Sequence, residues 1–371
     1  MKLKTAMLPF TVAIALALTS VVSEAAKDFK YDVLELPAVP SHLASETLIH
    51  SINKFGDRYF ATGHRGHILY SDDDGETWVQ AEVPVRSSIL DIHFPTPELG
   101  WAVGHEGIIL HSDDAGKTWS KQYDGLRYGE EGLAYYQEMA AAEPDNELYP
   151  FLIEEMEFAI SQGADKPLFR VQFLTSTHGF VLGAYGMILE TLDGGKNWLP
   201  VLETVDNDGF FHIFDFAPLP GEGKFLASGE AGLLLEVDIP GGISKRVPTV
   251  PREGSFFTIV DAVDGSVVMG DLRGRMFRTV DVGETWDAVK KPLTSAIVDS
   301  TRLADGRLIA AGIGGEVLIS TDNGASFSQV PITGGGQLYT MDGRIYAISE
   351  GSEGTLLLGG PSGITKVKLP Q

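Results

Sequence analysis

Ser71-Asp72-Asp73-Asp74-Gly75-Glu76-Thr77-Trp78 is one of five near-copies of a single motif, and the spacing of the copies decides the fold. The others are Ser112-Asp113-Asp114-Ala115-Gly116-Lys117-Thr118-Trp119, Thr191-Leu192-Asp193-Gly194-Gly195-Lys196-Asn197-Trp198, Thr279-Val280-Asp281-Val282-Gly283-Glu284-Thr285-Trp286 and Ser320-Thr321-Asp322-Asn323-Gly324-Ala325-Ser326-Phe327. All fit the pattern Ser/Thr, any, Asp, any, Gly, any, any, aromatic. In such a stretch a carboxylate accepts bonds from nearby backbone N–H groups, the glycine takes the positive φ of a tight turn, and the aromatic ring packs between adjacent sheets. The carboxylates assigned this structural role are Asp74, Asp114, Asp193, Asp281 and Asp322.

A second signature, Gly-x-x-Gly, lies a fixed distance before each copy and reveals further units. It occurs at 63–66, 104–107, 183–186, 229–232, 312–315 and 360–363, with a form one residue longer at 270–274. Between the closing glycines the intervals are 41, 79, 46, 42, 41 and 48 residues, so seven units of blade size are interrupted by one insertion. The second unit shows the strand pattern best, with runs at 89–94, 100–103, 108–111 and 119–123, here called A to D. The seventh unit supplies only three runs, and residues 29–36 resemble a D strand that would close it from the other end of the chain. Closure removes the exposed edges of a linear array. The expected fold is all-β: a seven-bladed β-propeller of four-stranded antiparallel blades, with an N-terminal strand completing the last blade.

Alternating strand directions place the A-strand starts and the Gly-x-x-Gly turns on one face, the top, and the Asp motifs on the bottom. The insertion, residues 124–166 between blades two and three, belongs to the top. Its apolar residues recur at three-and-four spacing (Leu133, Tyr136, Met139 and Ala140, then Leu148, Leu152, Met156, Ala159 and Ile160) around a break at Pro144-Asp145-Asn146. That spacing predicts a helical hairpin. With eleven Asp and Glu against Arg127 and Lys166, its outer face is acidic.

Lys2 and Lys4, an apolar run from Ala6 to Leu18 and the small-x-small triplet Ser23-Glu24-Ala25 read as an export signal cleaved near Ala25. Residues 26–371 then form the propeller of a periplasmic protein with no stable membrane insertion. Losing Lys2, Lys4 and Glu24 removes a net +1, which takes the formal charge from −23 to −24. A chain that acidic is repelled by nucleic acid and by anionic lipid. With no cysteine there is no disulfide framework, thiolate metal site or thiol nucleophile.

The candidate binding residues are the variable pairs inside the invariant glycines: His64, Arg65, His105, Glu106, Tyr185, Glu230 and Arg273. The glycines hold turn geometry and the residues between them face outward. His50, Asp91, Arg170 and Asp299 are read as equivalent A-strand positions lining the central channel. His64, His67, His105 and Glu106 are turn residues rather than a metal set, and Asp72-Asp73-Asp74-Gly75 lacks the later bidentate Glu of a calcium loop. No metal, cofactor or catalytic group is expected.

The Gly-x-x-Gly turn followed by an Asp motif, repeated around a signal-bearing propeller, resembles the photosystem II stability/assembly factor family of chloroplasts and cyanobacteria, whose repeats are also described as BNR repeats. The resemblance implies a non-enzymatic assembly or accessory factor that binds a membrane-protein complex or its subunits, acting as a monomer; in a non-photosynthetic bacterium it implies an envelope role beside an exporter. The chain departs from that pattern in its helical insertion and in the fourth unit, where Val237-Asp238-Ile239-Pro240-Gly241-Gly242 has lost the Asp motif. The rival reading is a sialidase-type glycoside hydrolase or a glycan-binding lectin, since those propellers carry Asp motifs too. It would require Arg86, Arg170, Arg252 and Arg273 to converge near Tyr185 and Glu230.

Overall fold

The structure is a computed structural model describing residues 32–221, 223–239, 243–249, 254–290, 293–331 and 343–369. Among them 27 strands form seven antiparallel sheets, six of four strands and one of three, each paired in simple chain order. These are the seven blades of a propeller. In blade two the order is Ile89–His93, Gly100–Gly104, Ile109–Ser112 and Ser120–Tyr123. Every residue of the B strand is buried, because that strand is covered on both faces by neighbouring blades. D strands are short and largely exposed at the rim.

The Asp motif works as a staple. Ser112 Oγ donates to Asp114 at 2.8 Å and accepts from Gly116 N–H at 2.9 Å, while Asp114 accepts from Thr118 N–H at 2.9 Å and from Thr118 Oγ1 at 2.7 Å. Asp193, Asp281 and Asp322 repeat these bonds. In blade one the residue in this role is Asp73, which accepts from Thr77 N–H at 2.8 Å and from Thr77 Oγ1 at 2.6 Å. Asp74, assigned the role from sequence, instead occupies the left-handed position before the glycine, with φ 61°. The motif's own spacing places Asp73, not Asp74, third. The rings stand at the blade seams: Trp119 meets Phe94 of its own blade edge to face at 5.9 Å, and Phe94 stacks on Phe60 of blade one at 4.3 Å; Trp198 meets Phe173 likewise at 5.9 Å, and Phe173 stacks on Trp101 of blade two at 3.7 Å.

The chain ends are arranged differently from the sequence reading. Residues 29–31 of the expected closing strand, and the whole export signal, lie outside the described residues. Asp32–Glu35 forms one helical turn, α1, rather than a strand. Its Leu34 is buried among residues of blades one and two, Val33 O accepts from Arg86 N–H at 2.7 Å, and Ala38 N–H donates to Val83 O at 2.9 Å. These contacts hold the segment over the first two blades, away from the seventh, which has three strands among the described residues. Blades one and seven meet through side chains. Lys366 Nζ lies 2.6 Å from Asp74 and 2.8 Å from Glu76, Ser352 N–H donates to Asp74 at 2.9 Å, and Tyr59 Oη donates to Glu350 O at 3.0 Å.

Between blades two and three stand two helices, α2 (Gly125–Ala142) and α3 (Leu148–Gln162). Asp124 caps α2, accepting from Leu126 and Arg127 N–H at 3.1 and 3.3 Å. The buried face of α2 is Tyr128, Gly129, Gly132 and Tyr136, while Leu133 and Met139 only flank it. Glycine explains the difference. A Cβ on Gly132 would lie 2.5 Å from Met156 Sδ, and one on Gly129 2.8 Å from Ile160 Cγ1, so the helices approach most closely along the glycines. Tyr135 and Tyr136 then tie the hairpin down, each donating to Glu203 at 3.0 Å. None of the helices in the described residues is long and apolar enough to cross a membrane.

Candidate functional site

Blades one to six carry a β-bulge at the same place in strand A, as between Ile89 and Asp91 or Ile213 and Asp215. A bulge re-aims the strand locally. Two consecutive residues therefore turn toward the axis, and the channel acquires two layers. The upper layer contains His50, Leu90, Phe169, Phe214, Phe257, Val298 and Tyr346; below it stand Ser51, Asp91, Arg170, Asp215 and Asp299. His50 thus belongs to the ring above Asp91, Arg170 and Asp299, one residue out of step with the sequence reading. Together they enclose a cavity of about 820 Å³.

The lower layer is ionic. Arg170 Nε lies 2.8 Å from Asp215 Oδ1, and Arg170 Nη1 lies 3.9 Å from Asp91 Oδ1. Three of these carboxylates also bond across blade seams: Asp91 accepts from Val171 N–H at 3.0 Å, Asp215 from Ile259 N–H at 3.0 Å and Asp299 from Ile348 N–H at 2.8 Å. Burial pushes Asp91 up to about 6 and Asp299 up to about 7, against the pull of Arg170. Burial also opposes the charge on Arg170, but Asp215, Asp91 and Asp299 outweigh it and hold its pKa above the ordinary range. These groups act chiefly as seam bonds, since each pairs one blade with another.

The upper layer opens at the top face, beside the Gly-x-x-Gly turns. There the second variable residue takes the left-handed conformation, with φ 56° at Arg65, 57° at Glu106 and 55° at Tyr185. Two groups of the sequence-chosen residues come together. His105 lines the cavity, and His50 is lowered to about 4 by burial and by the nearness of His105 and His64, so its ring is neutral near pH 7. His64 Nδ1 lies 2.9 Å from Ser88 Oγ. On the other side the exposed ring of Tyr185 packs edge-on against His212 at 4.9 Å, and His212 lies 3.5 Å from Glu230. Contacts among the described residues do not join Arg65, Glu106 or Arg273 to either group; Arg273 is exposed, with its backbone N–H donating to Asp271 at 2.8 Å, and the guanidinium paired with Asp271 is that of Arg275.

Several members of the site escaped sequence reading. His212 continues the Tyr185 contact to Phe169 at 6.3 Å and Phe214 at 6.0 Å, and Phe214 stacks on Phe257 at 4.4 Å. From the other side Lys166 lies 5.5 Å above the Tyr185 ring and 5.9 Å from that of Phe158 on α3. An aromatic track therefore runs from the helical hairpin across the top face into the channel. Its signal is present in the sequence: Phe169, Phe214, Phe257 and Tyr346 each follow the first apolar residue of an A strand.

Among the described residues, two of the four arginines required by the hydrolase reading are engaged elsewhere. Arg170 is engaged by channel carboxylates, Arg86 Nε donates to Pro37 O at 3.1 Å, and Arg252 lies outside the described residues. Among the described residues no three His, Asp or Glu side chains are grouped to hold a metal ion.

Comparison with known proteins gives a consistent picture. The sequence profile of the family described as photosynthesis system II assembly factor YCF48 matches residues 70–143 and 157–331. A photosystem II assembly lipoprotein Ycf48 of Synechococcus sp. (strain CC9902) is 27% identical over 197 residues, 49% of this chain and 56% of that protein. The chloroplastic photosystem II stability/assembly factor HCF136 of Oryza sativa subsp. japonica is 25% identical over 174 residues, 41% and 42% of the two chains. The chain thus spans about half the length of the curated relatives it matches. Among solved structures, YCF48 bound to D1 peptide superposes with a TM-score of 0.62 at 17% identity, covering 92% of this chain and 100% of that one. A virginiamycin B lyase from Staphylococcus aureus gives 0.65 at 10% identity, covering 88% and 97%, which shows the fold alone.

Proposed function

Because this chain belongs to the photosynthesis system II assembly factor YCF48 family, we propose that it is a non-enzymatic, periplasmic propeller that binds a segment of a membrane-protein subunit while the subunit's complex is assembled. The observation that carries the reading is the open aromatic mouth from Tyr185 and His212 to Phe169, Phe214 and Phe257. Aromatic faces accept backbone and apolar side chains of an extended segment with little entropy cost, since each ring has only two torsions to fix. The family's relatives are named assembly factors, and one solved relative is bound to D1 peptide. In a photosynthetic host the partner is a photosystem subunit; elsewhere it is a subunit of another envelope complex such as an exporter.

The test is capture from detergent-solubilised native membranes with the full chain as bait. Retention of a membrane protein by the unaltered chain, lost on Tyr185→Ala combined with His212→Ala, is the expected result. Failure of the unaltered chain to retain any envelope protein, or equal retention by the double variant, would overturn the reading.

A further inference from the structure

The fourth blade lacks one component that the five stapled blades share. In them the eighth residue of the motif is Trp78, Trp119, Trp198, Trp286 or Phe327, each packed toward the preceding seam, Trp78 and Trp286 at its partly exposed edge. Strand register identifies the corresponding place in blade four. Glu190 pairs with Leu199 in blade three, one residue after Trp198; Glu236 pairs with Lys245 in blade four, one residue after Ser244. The linking segment has the same length in both, so Val237 stands for the motif's Ser/Thr, Ile239 for its Asp and Ser244 for its tryptophan. Ser244 is buried, with 7% of its surface exposed, so its small side chain occupies an interior position without replacing the ring.

A cavity of about 250 Å³ lies at that place, between blades three and four. Phe180, Leu182 and Ile188 of blade three and Val237 and Ile239 of blade four form its apolar wall. Three carboxylates occupy its edge: Glu190, 2.8 Å from His178; Glu203, which accepts from both Tyr135 and Tyr136 of the hairpin; and Asp238, 3.6 Å from Lys224 Nζ. Neither lysine nor arginine is among the residues that line it. The apolar wall favours an apolar guest, while the polar edge can meet a hydrogen-bonding or charged group on the same guest.

We propose that this seam is a binding seat for an indole ring, supplied by a tryptophan next to a basic residue on a partner segment. Three observations select that occupant. Five other seams, those before the stapled blades, seat an aromatic ring of the chain's own at the equivalent place; the wall is apolar; and the edge carboxylates offer acceptors for an indole N–H and a negative field for the adjacent cation. The seat is on the outer flank beneath the hairpin, lined by none of the residues of the channel mouth, and does not depend on the function assigned to that mouth.

The test uses the full chain with two tripeptides, lysine–tryptophan–lysine and lysine–alanine–lysine, and with free indole, followed by saturation-transfer NMR and calorimetry. The unaltered chain should bind the tryptophan peptide on the order of ten-fold more tightly than the alanine peptide. Ser244→Trp should fill the seat, abolish that preference and raise Tm; Ser244→Phe serves if the tryptophan variant does not fold. Tyr185→Ala should leave the preference intact, which separates this seat from the mouth. Equal binding of the two peptides, or a preference that survives filling of the seat, would overturn the proposal. Binding of free indole without a preference for the tryptophan peptide would also overturn it, in favour of a small-molecule site.

Discussion

Arg170 Nε of blade three lies 2.8 Å from Asp215 Oδ1 of blade four, and this bond joins two blades at the wall of the channel. Removing the cation leaves Asp215, Asp91 and Asp299 without their common partner. Arg170→Met should lower stability by about 3 kcal/mol, the order seen when one member of a buried ion pair is deleted. Adding Asp215→Asn should restore part of the loss. Urea unfolding of both variants checks this; a single variant as stable as the parent would contradict it.

Channel burial also makes stability depend on pH. Asp91 is raised to about 6 in the folded chain, against an unfolded value near 3.9, so the folded state holds the extra proton between those values. Its contribution is fully present below pH ~4 and is lost as pH rises through about 6. Asp91→Asn keeps an acceptor for Val171 N–H while removing the titration. The expected result is a variant whose stability, relative to the parent, improves from pH ~4 to ~7 and then levels. His50 and His93, each lowered to about 4 by burial, oppose this trend in the parent, and the difference between the two proteins cancels their effect.

Asp74 holds the two ends of the ring together. It accepts from Ser352 N–H and from Lys366, and its own backbone takes φ 61°. Asp74→Ala should cost about 1–3 kcal/mol through the lost charge-assisted bonds, and Asp74→Asn less. Hydrogen exchange should show the loosening first in blades one and seven. Protection unchanged there would show that closure rests on other contacts.

The hairpin is seated through glycine. Gly132→Val places branched carbon against Met156 and should separate α2 from α3 without unfolding the blades. Limited proteolysis should cut within residues 125–162 at a raised rate while the propeller fragments stay folded. A variant cut no faster than the parent would contradict the packing.

How much of this was legible in the sequence follows from what repeats. The blades and their order were readable because the Gly-x-x-Gly turns and Asp motifs recur at a blade-sized period. The bulge is one unpaired residue in strand A with no fixed residue type, so the sequence carries no sign of it and His50 reads as level with Asp91, although it stands one layer above. Residues 33–36 have a strand-like composition and so read as part of a closing strand, yet Leu34 finds its cover on blades one and two. The hairpin was readable as helix, but its seam was misplaced: periodicity marks large apolar residues, and close packing here selects Gly129 and Gly132. Of the candidate residues, His64, His105, Tyr185 and Glu230 fall in groups at the mouth; the aromatic residues beneath them share one A-strand position in the sequence, but only the bulge turns that position toward the axis.

Photo-crosslinking in native membranes tests the central claim most directly. Tyr185, at the mouth, and Leu192, exposed on the opposite rim, are each replaced in the full chain by p-benzoyl-phenylalanine. The account predicts that position 185 crosslinks to a membrane-protein subunit and that position 192 does not. Crosslinking at 192 alone, or equal crosslinking at both, would contradict it.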